Sequence, residues 1–545
     1  MKKIVFTLLL LCFFGSNQTF AQKQITLEDI WTKGSFSAKG VAGFNSMIDG
    51  RYYCNLDNQQ NLLRFEFATG KVVDTLVKIA DVTSANNGVA ISLYNYSWSG
   101  DEKKLIIETQ TESIYRHSSK SIFYIYDLGS KKLLNPVKEK VRYATLSPDN
   151  IKMAFVRNND LYYYDFITNT ETRVTKDGKE NAIINGGTDW VYEEEFAIWK
   201  GFAWSPNSDK LAFYRFDETK VPEYEMAIYG SLYPKQEKFK YPKAGEANSL
   251  VNIFVYDTKS ELIAEMQTGN ETDIYLPRMQ WTKDNNLLSI QRLNRLQNKV
   301  ELLIADAKTG KTNVILTEEN PYYIDITDNL NFLNDGKTFL WSSEKDGFNH
   351  LYQFNLKGKL IKQITKGNYD IDEVFGIDEK NKKLYYSSSE VNAAERYIYV
   401  IGLNGKGKTQ LTNTKGWNMA SFNSDFTYFL SIVSTMNTPP IYSLCNASGK
   451  LVRTLEDNKA LLEKLKEYQL SEVKFATQKN ELGQDMNKFT LLPPNFDSTQ
   501  KHPLLMYVYG GPGSQTVMNR WSGGNYFWYQ MLAQKGYIIV SIDGR

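Results

Sequence analysis

The chain has 545 residues, with 64 Lys+Arg against 62 Asp+Glu and a formal charge of +2. That length exceeds what one hydrophobic core serves, so two or more domains are expected. The balanced charge leaves no basic excess for nucleic acid, and an aromatic fraction of 14% favours half-buried β structure.

The N-terminus reads MKKIVFTLLLLCFFGSNQTFAQ. Lys2 and Lys3 precede an apolar run at 4–14, and Thr19-Phe20-Ala21 forms a small-residue cleavage site before Gln22. Residues 1–21 read as a secretory signal peptide, because the run is too short to span a membrane. A periplasmic or secreted protein without a membrane span is expected. Cys12 follows Leu11, which does not suit a lipoprotein site. Cys54 and Cys445 then remain, too few for a disulfide framework. They read as two buried thiols, although an oxidising compartment also permits a bridge between them. His117, His350 and His502 lie in no HExxH pattern, so neither a metal nor another cofactor is expected.

From residue 46 one unit recurs: an apolar or aromatic residue, a Ser/Asn/Asp-rich turn, then an alternating apolar strand. Copies begin at Ser46, Tyr96 (YSWSGDEKKLIIET), Ala144 (ATLSPDNIKMAFVR) and Phe202 (FAWSPNSDKLAFYR). Further copies begin at Met279, Asn331, Gly376 and Ser421. Their spacing of roughly 45–60 residues is that of a four-stranded propeller blade. The gap between the fourth and fifth copies is longer and holds KVPEYEMAIYGSLYPKQEKFKYPKAGEANSL, an insertion expected to cross the propeller face. A single blade cannot bury both faces, so a ring is the stable arrangement. Residues 46–455 are read as an all-β, eight-bladed β-propeller.

After Leu455 the pattern changes. EDNKALLEKLKEYQL is a short amphipathic helix, with Leu461, Leu462 and Leu465 on one face. LLMYVYG and YIIVSIDG are apolar runs that suit buried strands of an α/β sheet, and YFWYQMLAQKG suits a crossover helix between them. Residues 456–545 are read as the N-terminal part of a second, α/β domain.

Four motifs invite chemistry. GLNGKGKT fits a phosphate-loop pattern, but no helix follows it, so it reads as a hairpin turn. YRHS reads as a polar loop between strands, and its arginine is also a good fixed donor to a carbonyl. TDWVYEEEF reads as a short helix capped by Thr188 or Asp189. Capping accounts for one or two acids but not for Glu193, Glu194 and Glu195 together among aromatic residues. A carboxylate clamp for an ammonium group would account for them. VYGGPGSQ ends an apolar strand in a phenol and a Gly-Pro turn; the phenol is packing, or it aims at a developing oxyanion.

Together with DGFNHLYQF and the terminal DGR, these motifs resemble the dipeptidyl peptidase IV family of prolyl oligopeptidase-type serine peptidases. The resemblance runs nearly end to end. It implies a propeller followed by an α/β-hydrolase domain, with residues 22–45 packing on the latter. It also implies that Glu194 and Glu195 bind the free amine of a peptide, that Arg116 holds a substrate carbonyl, and that Tyr509 is half of an oxyanion hole. The implied reaction removes X-Pro or X-Ala dipeptides from peptide N-termini, and homodimers are common in the family. The family's nucleophile sits in a GxSxG elbow, followed by Asp and His. No GxSxG occurs before Arg545, so the triad is expected beyond the terminus and the chain is read as a fragment. A prolyl tripeptidyl peptidase and a non-catalytic peptide-binding propeller are the alternatives.

Overall fold

The computed structural model describes residues 23–511 and 513–544. Residues 1–21, read from the sequence as a signal peptide, and Arg545 lie outside them.

Eight antiparallel sheets follow one another among the described residues. Each contains one copy of the sequence repeat. The turn chemistry is side-chain driven. Ser99, Ser147 and Ser205 accept the backbone N–H of the residue five positions on, at 2.9, 2.9 and 3.0 Å. Such a hydroxyl substitutes for a backbone acceptor and fixes the turn into the next strand. The fourth sheet has five strands, because Ile183–Asn185 joins Lys210–Asp217 beside Phe202–Trp204.

The last sheet meets the first. Asn423 Nδ2 donates to Gly50 O at 2.7 Å, the Ser424 N–H donates to Ser46 Oγ at 3.0 Å, and Tyr53 and Phe67 pack with Leu444. The arrangement is a propeller-like domain. Cys54 and Cys445 lie in these first and last sheets, buried and unbonded. GLNGKGKT forms the turn between the paired strands Tyr397–Gly402 and Thr409–Gln410.

The insertion is a two-stranded hairpin, Glu223–Ile228 with Lys235–Lys240, outside the eight sheets. Its root packs on the candidate site through Tyr241 against Trp190 and Phe239 against Tyr115. Its tip leaves Tyr229, Leu232 and Tyr233 exposed.

Beyond the helix Lys459–Leu465, a four-stranded sheet runs Lys474–Lys479, Asp485–Leu491, Ile538–Ile542, Leu504–Tyr507. The last two strands are parallel and are joined across the helix Gly524–Gln534. Ile25, Ile30 and Phe36 share an apolar cluster with Leu461, Tyr526, Phe527 and Ile539. Among the described residues Leu504–Tyr507 pairs with Ile538–Ile542 alone, and Leu504, Met506 and Tyr507 are exposed. No helix among the described residues is long and apolar enough to cross a membrane.

Candidate functional site

The helix Trp190–Phe196 carries the three glutamates. At seven residues it is too short to persist alone, so its surroundings must hold it. Asp189 caps it, its Oδ1 accepting the Tyr192 N–H at 2.9 Å while Oδ2 accepts Ser249 Oγ–H at 2.7 Å. Tyr192 and Phe196 point into the largest apolar cluster of the molecule, among Phe216, Tyr214 and Tyr275. The Tyr192 hydroxyl accepts the Leu276 N–H at 2.8 Å. At the far end Ala197 adopts the left-handed conformation, φ 53°, and its N–H bonds back to Tyr192 O. Arg278 Nη1 donates to Phe196 O at 2.8 Å. Both ends of the helix are therefore fixed to neighbouring sheets.

The three carboxylates have different surroundings. Glu193 is 2% exposed, and its Oε1 accepts two backbone N–H groups, from His117 at 2.7 Å and Ser118 at 2.9 Å. It anchors the YRHS turn between the strands Lys104–Ser113 and Ser119–Asp127. Glu194 is half-buried and pairs with Arg116, Nη2 to Oε1 at 2.9 Å. Glu195 is exposed and lines a cleft of about 280 Å³ with Ala197, Tyr275, Tyr323 and Asp325. Burial, followed by Asp325 and Glu195, raises the Tyr323 phenol above its ordinary range.

The aromatic residues of the motif hold this frame. Trp190 packs on Tyr241, with ring centroids 4.5 Å apart. Trp199 stacks on His117 at 5.1 Å and 25°. Tyr192 and Phe196, four residues apart, share the helix face turned to the core, and Glu194 lies on the opposite face.

Behind the helix lies a second acidic pair. Asp189 is buried, and desolvation pushes its carboxyl up despite its hydrogen bonds. Glu218 is 6% exposed; burial first, and then the Asp189 charge, push its carboxyl up to about 7. Lys240 and Arg142 act in the opposite sense.

Tyr509 follows the strand Leu504–Tyr507 and is 68% exposed. Its ring lies over Gly511, where a Cβ would fall 2.6 Å from Tyr509 Cε1. It borders a cleft of about 400 Å³ with Tyr507, Gln515, Arg520, Asn525 and Tyr529. This cleft shares no lining residue with that of Glu195. Arg116, Glu194 and Glu195 thus form one group, and Tyr509 stands in another.

Sequence reasoning did not single out Tyr323 and Asp325, which face Glu195. NPYYIDITDN carries the aromatic and acidic pattern, but nothing in its spacing ties it to residue 195. It also missed the anchoring role of Glu193 and the grip of Arg278 on the helix end.

The chain matches the family described as "Dipeptidyl peptidase IV (DPP IV) N-terminal region" over residues 99–440. A dipeptidyl peptidase 4 of Trichophyton rubrum is 28% identical over 553 residues, spanning 96% of this chain and 69% of that protein. A dipeptidyl peptidase 4 of Arthroderma otae is 27% identical over 532 residues, spanning 93% and 66% respectively. The crystal structure of Porphyromonas gingivalis dipeptidyl peptidase 4 is 36% identical, with a TM-score of 0.89 over 96% of this chain and 74% of that one. A family match over more than half of its length, on the same propeller-like architecture, means that the chain belongs to the dipeptidyl peptidase IV family of peptidases.

Proposed function

We propose that the protein is an exopeptidase that removes X-Pro or X-Ala dipeptides from peptides with a free N-terminus. Glu194 and Glu195 bind the ammonium group, Arg116 holds a substrate carbonyl, and Tyr509 donates to the oxyanion. In the same proposal residues 46–455 are an eight-bladed propeller, 456–545 begin an α/β-hydrolase domain on which 22–45 pack, and 1–21 direct the chain to the periplasm or medium.

One observation carries the reading. Of three consecutive glutamates, the first is committed to backbone N–H groups, which leaves Glu194 and Glu195 for a ligand. The Arg116–Glu194 pair is no obstacle. With the Arg116 side chain 68% exposed, such a pair contributes about 0–1 kcal/mol and is readily exchanged for an ammonium. Two carboxylates and an ammonium form charge-assisted hydrogen bonds that a blocked amine cannot complete.

The test is hydrolysis of Gly-Pro-p-nitroanilide by the complete native protein. Release of Gly-Pro, abolished by N-acetylation, supports the reading. Hydrolysis indifferent to acetylation overturns it. Release of tripeptides replaces it with the tripeptidyl alternative, and binding of peptide N-termini without turnover replaces it with the non-catalytic one.

A further inference from the structure

Residues 515–521, which follow the Tyr509 turn, are tied to the propeller-like domain by a set of polar contacts, of which those of the Asn519 side chain are buried. Gln515 Nε2 donates to Ala393 O at 2.8 Å, and Arg396 Nη2 donates to Gln515 Oε1 at 2.8 Å. Asn519 uses its whole amide. Nδ2 donates to Glu395 Oε1 at 2.8 Å, Oδ1 accepts the Met436 N–H at 3.1 Å, and its own N–H donates to Ala394 O at 2.8 Å. Glu395 is 4% exposed, and its second oxygen accepts the Tyr397 hydroxyl at 2.7 Å.

No Lys, Arg or His among the described residues forms an ion pair with Glu395; its neighbour Arg396 pairs with Asp372 instead. A buried carboxylate held by neutral donors costs free energy that an apolar contact would not. Domain adhesion alone does not call for such a group. Defining one register of two surfaces does, because each oxygen has a single donor in a single place.

The other side of the same stretch is fixed to the α/β sheet. Thr516 N–H and Oγ1–H donate to Asp543 Oδ1 at 2.7 and 2.6 Å, and the Val517 N–H donates to Asp543 Oδ2 at 2.9 Å. Gln515 and Thr516 border the cleft that Tyr509 borders. The stretch therefore spans from the propeller-like domain to the floor of the Tyr509 cleft.

We propose that Glu395 is a positioning residue which, through Asn519, sets the Tyr509 turn in register with the propeller-like domain. Glu395 touches no reacting atom; it acts on where the phenol stands when an oxyanion forms. This inference rests on the reading of Tyr509 as an oxyanion donor.

The experiment is a double-mutant cycle in the complete native protein, read by Gly-Pro-p-nitroanilide hydrolysis. Glu395→Gln is expected to lower kcat about tenfold and to leave KM within about twofold, because a misplaced donor is lost only in the transition state. Tyr509→Phe is expected to lower kcat about a hundredfold. In the Tyr509→Phe background, Glu395→Gln is expected to cost less than about twofold, because the two residues act as a unit. Equal losses in both backgrounds, or a rise in KM in place of the fall in kcat, overturn the proposal. An unchanged kcat for Tyr509→Phe removes Tyr509 from the chemistry and overturns both readings together. Should Glu395→Gln not fold, Tyr397→Phe removes only the phenol that donates to Glu395. It is expected to lower kcat about threefold with the same dependence on Tyr509, and a loss without that dependence also overturns the proposal.

Discussion

Glu193 locks the backbone of Ser118: its Oε1 accepts the Ser118 N–H at 2.9 Å and that of His117 at 2.7 Å. A side chain on a helix of one sheet thereby fixes a turn of another, and Arg116 rides on that turn. Glu193→Ala leaves two N–H groups without their acceptor, at a cost of about 1–3 kcal/mol each where they are buried. Glu193→Gln keeps a carbonyl oxygen and is expected to cost about 1 kcal/mol. Thermal unfolding of the two variants checks the order. Near-equal midpoints would mean that the turn is held by its own strands.

Glu194 and Glu195 are expected to behave in the opposite way. Either one changed to Gln leaves the unfolding midpoint nearly unmoved, because Glu195 is exposed and Glu194 is only half-buried, its ion pair being with a largely exposed arginine. Affinity for a free-amine peptide is expected to fall about 10- to 100-fold, the worth of one charged hydrogen bond. Titration calorimetry with Gly-Pro-Gly and its N-acetyl form reads this on the chain itself. If the acetylated peptide binds as tightly to the unaltered protein, the clamp does not exist.

These opposed expectations show what the sequence could and could not convey. The repeat was legible because each copy joins a Ser- or Asn-initiated turn to an alternating strand, and both are local. The helix, with a cap at Thr188 or Asp189, was legible for the same reason; the structure assigns the cap to Asp189. The division of labour within Glu193–Glu195 was not. It depends on a turn some 75 residues away, which no local pattern encodes. The cleft that Glu195 shares with Tyr323 and Asp325 is likewise a tertiary fact.

Gly511 supports the Tyr509 ring by its lack of a side chain. With a Cβ only 2.6 Å from Tyr509 Cε1, Gly511→Ala must move the ring. Because Tyr509 is exposed, stability is expected to change by less than about 1 kcal/mol. In the complete native protein kcat is expected to fall about tenfold with KM nearly unchanged. A KM effect without a kcat effect would assign Tyr509 to substrate binding.

Burial pushes the thiols of Cys54 and Cys445 up, and Trp98 Nε1 also donates to Cys54 Sγ at 3.4 Å. Neither is expected to react with iodoacetamide in the folded protein, since the thiolate is the nucleophile and both are shielded. Both are expected to alkylate fully after denaturation without reductant. Mass spectrometry showing a linked Cys54–Cys445 peptide would contradict the unbonded geometry.

Glu218 gives the helix of Glu194 and Glu195 a pH dependence from behind. Its carboxyl titrates at about 7 when folded, against 4.5 for an ordinary glutamate, because of burial and then the Asp189 charge. The folded state therefore holds the proton more tightly than the unfolded state between those values. Stability falls as pH rises through that window and levels off above it. The displacement corresponds to roughly 3 kcal/mol between the two ends. Lys240 and Arg142 moderate the cost of the charge, whereas Asp189 and Asp217 add to it. Since Asp189 also caps the helix of Glu194 and Glu195, ionised Glu218 repels the very carboxylate that starts that helix. Glu218→Gln removes the titration. Relative to the unaltered protein, its unfolding midpoint is expected to be lower or equal at pH 4.5 and higher at pH 8. Parallel pH profiles for the two proteins would show that Glu218 does not ionise in this window.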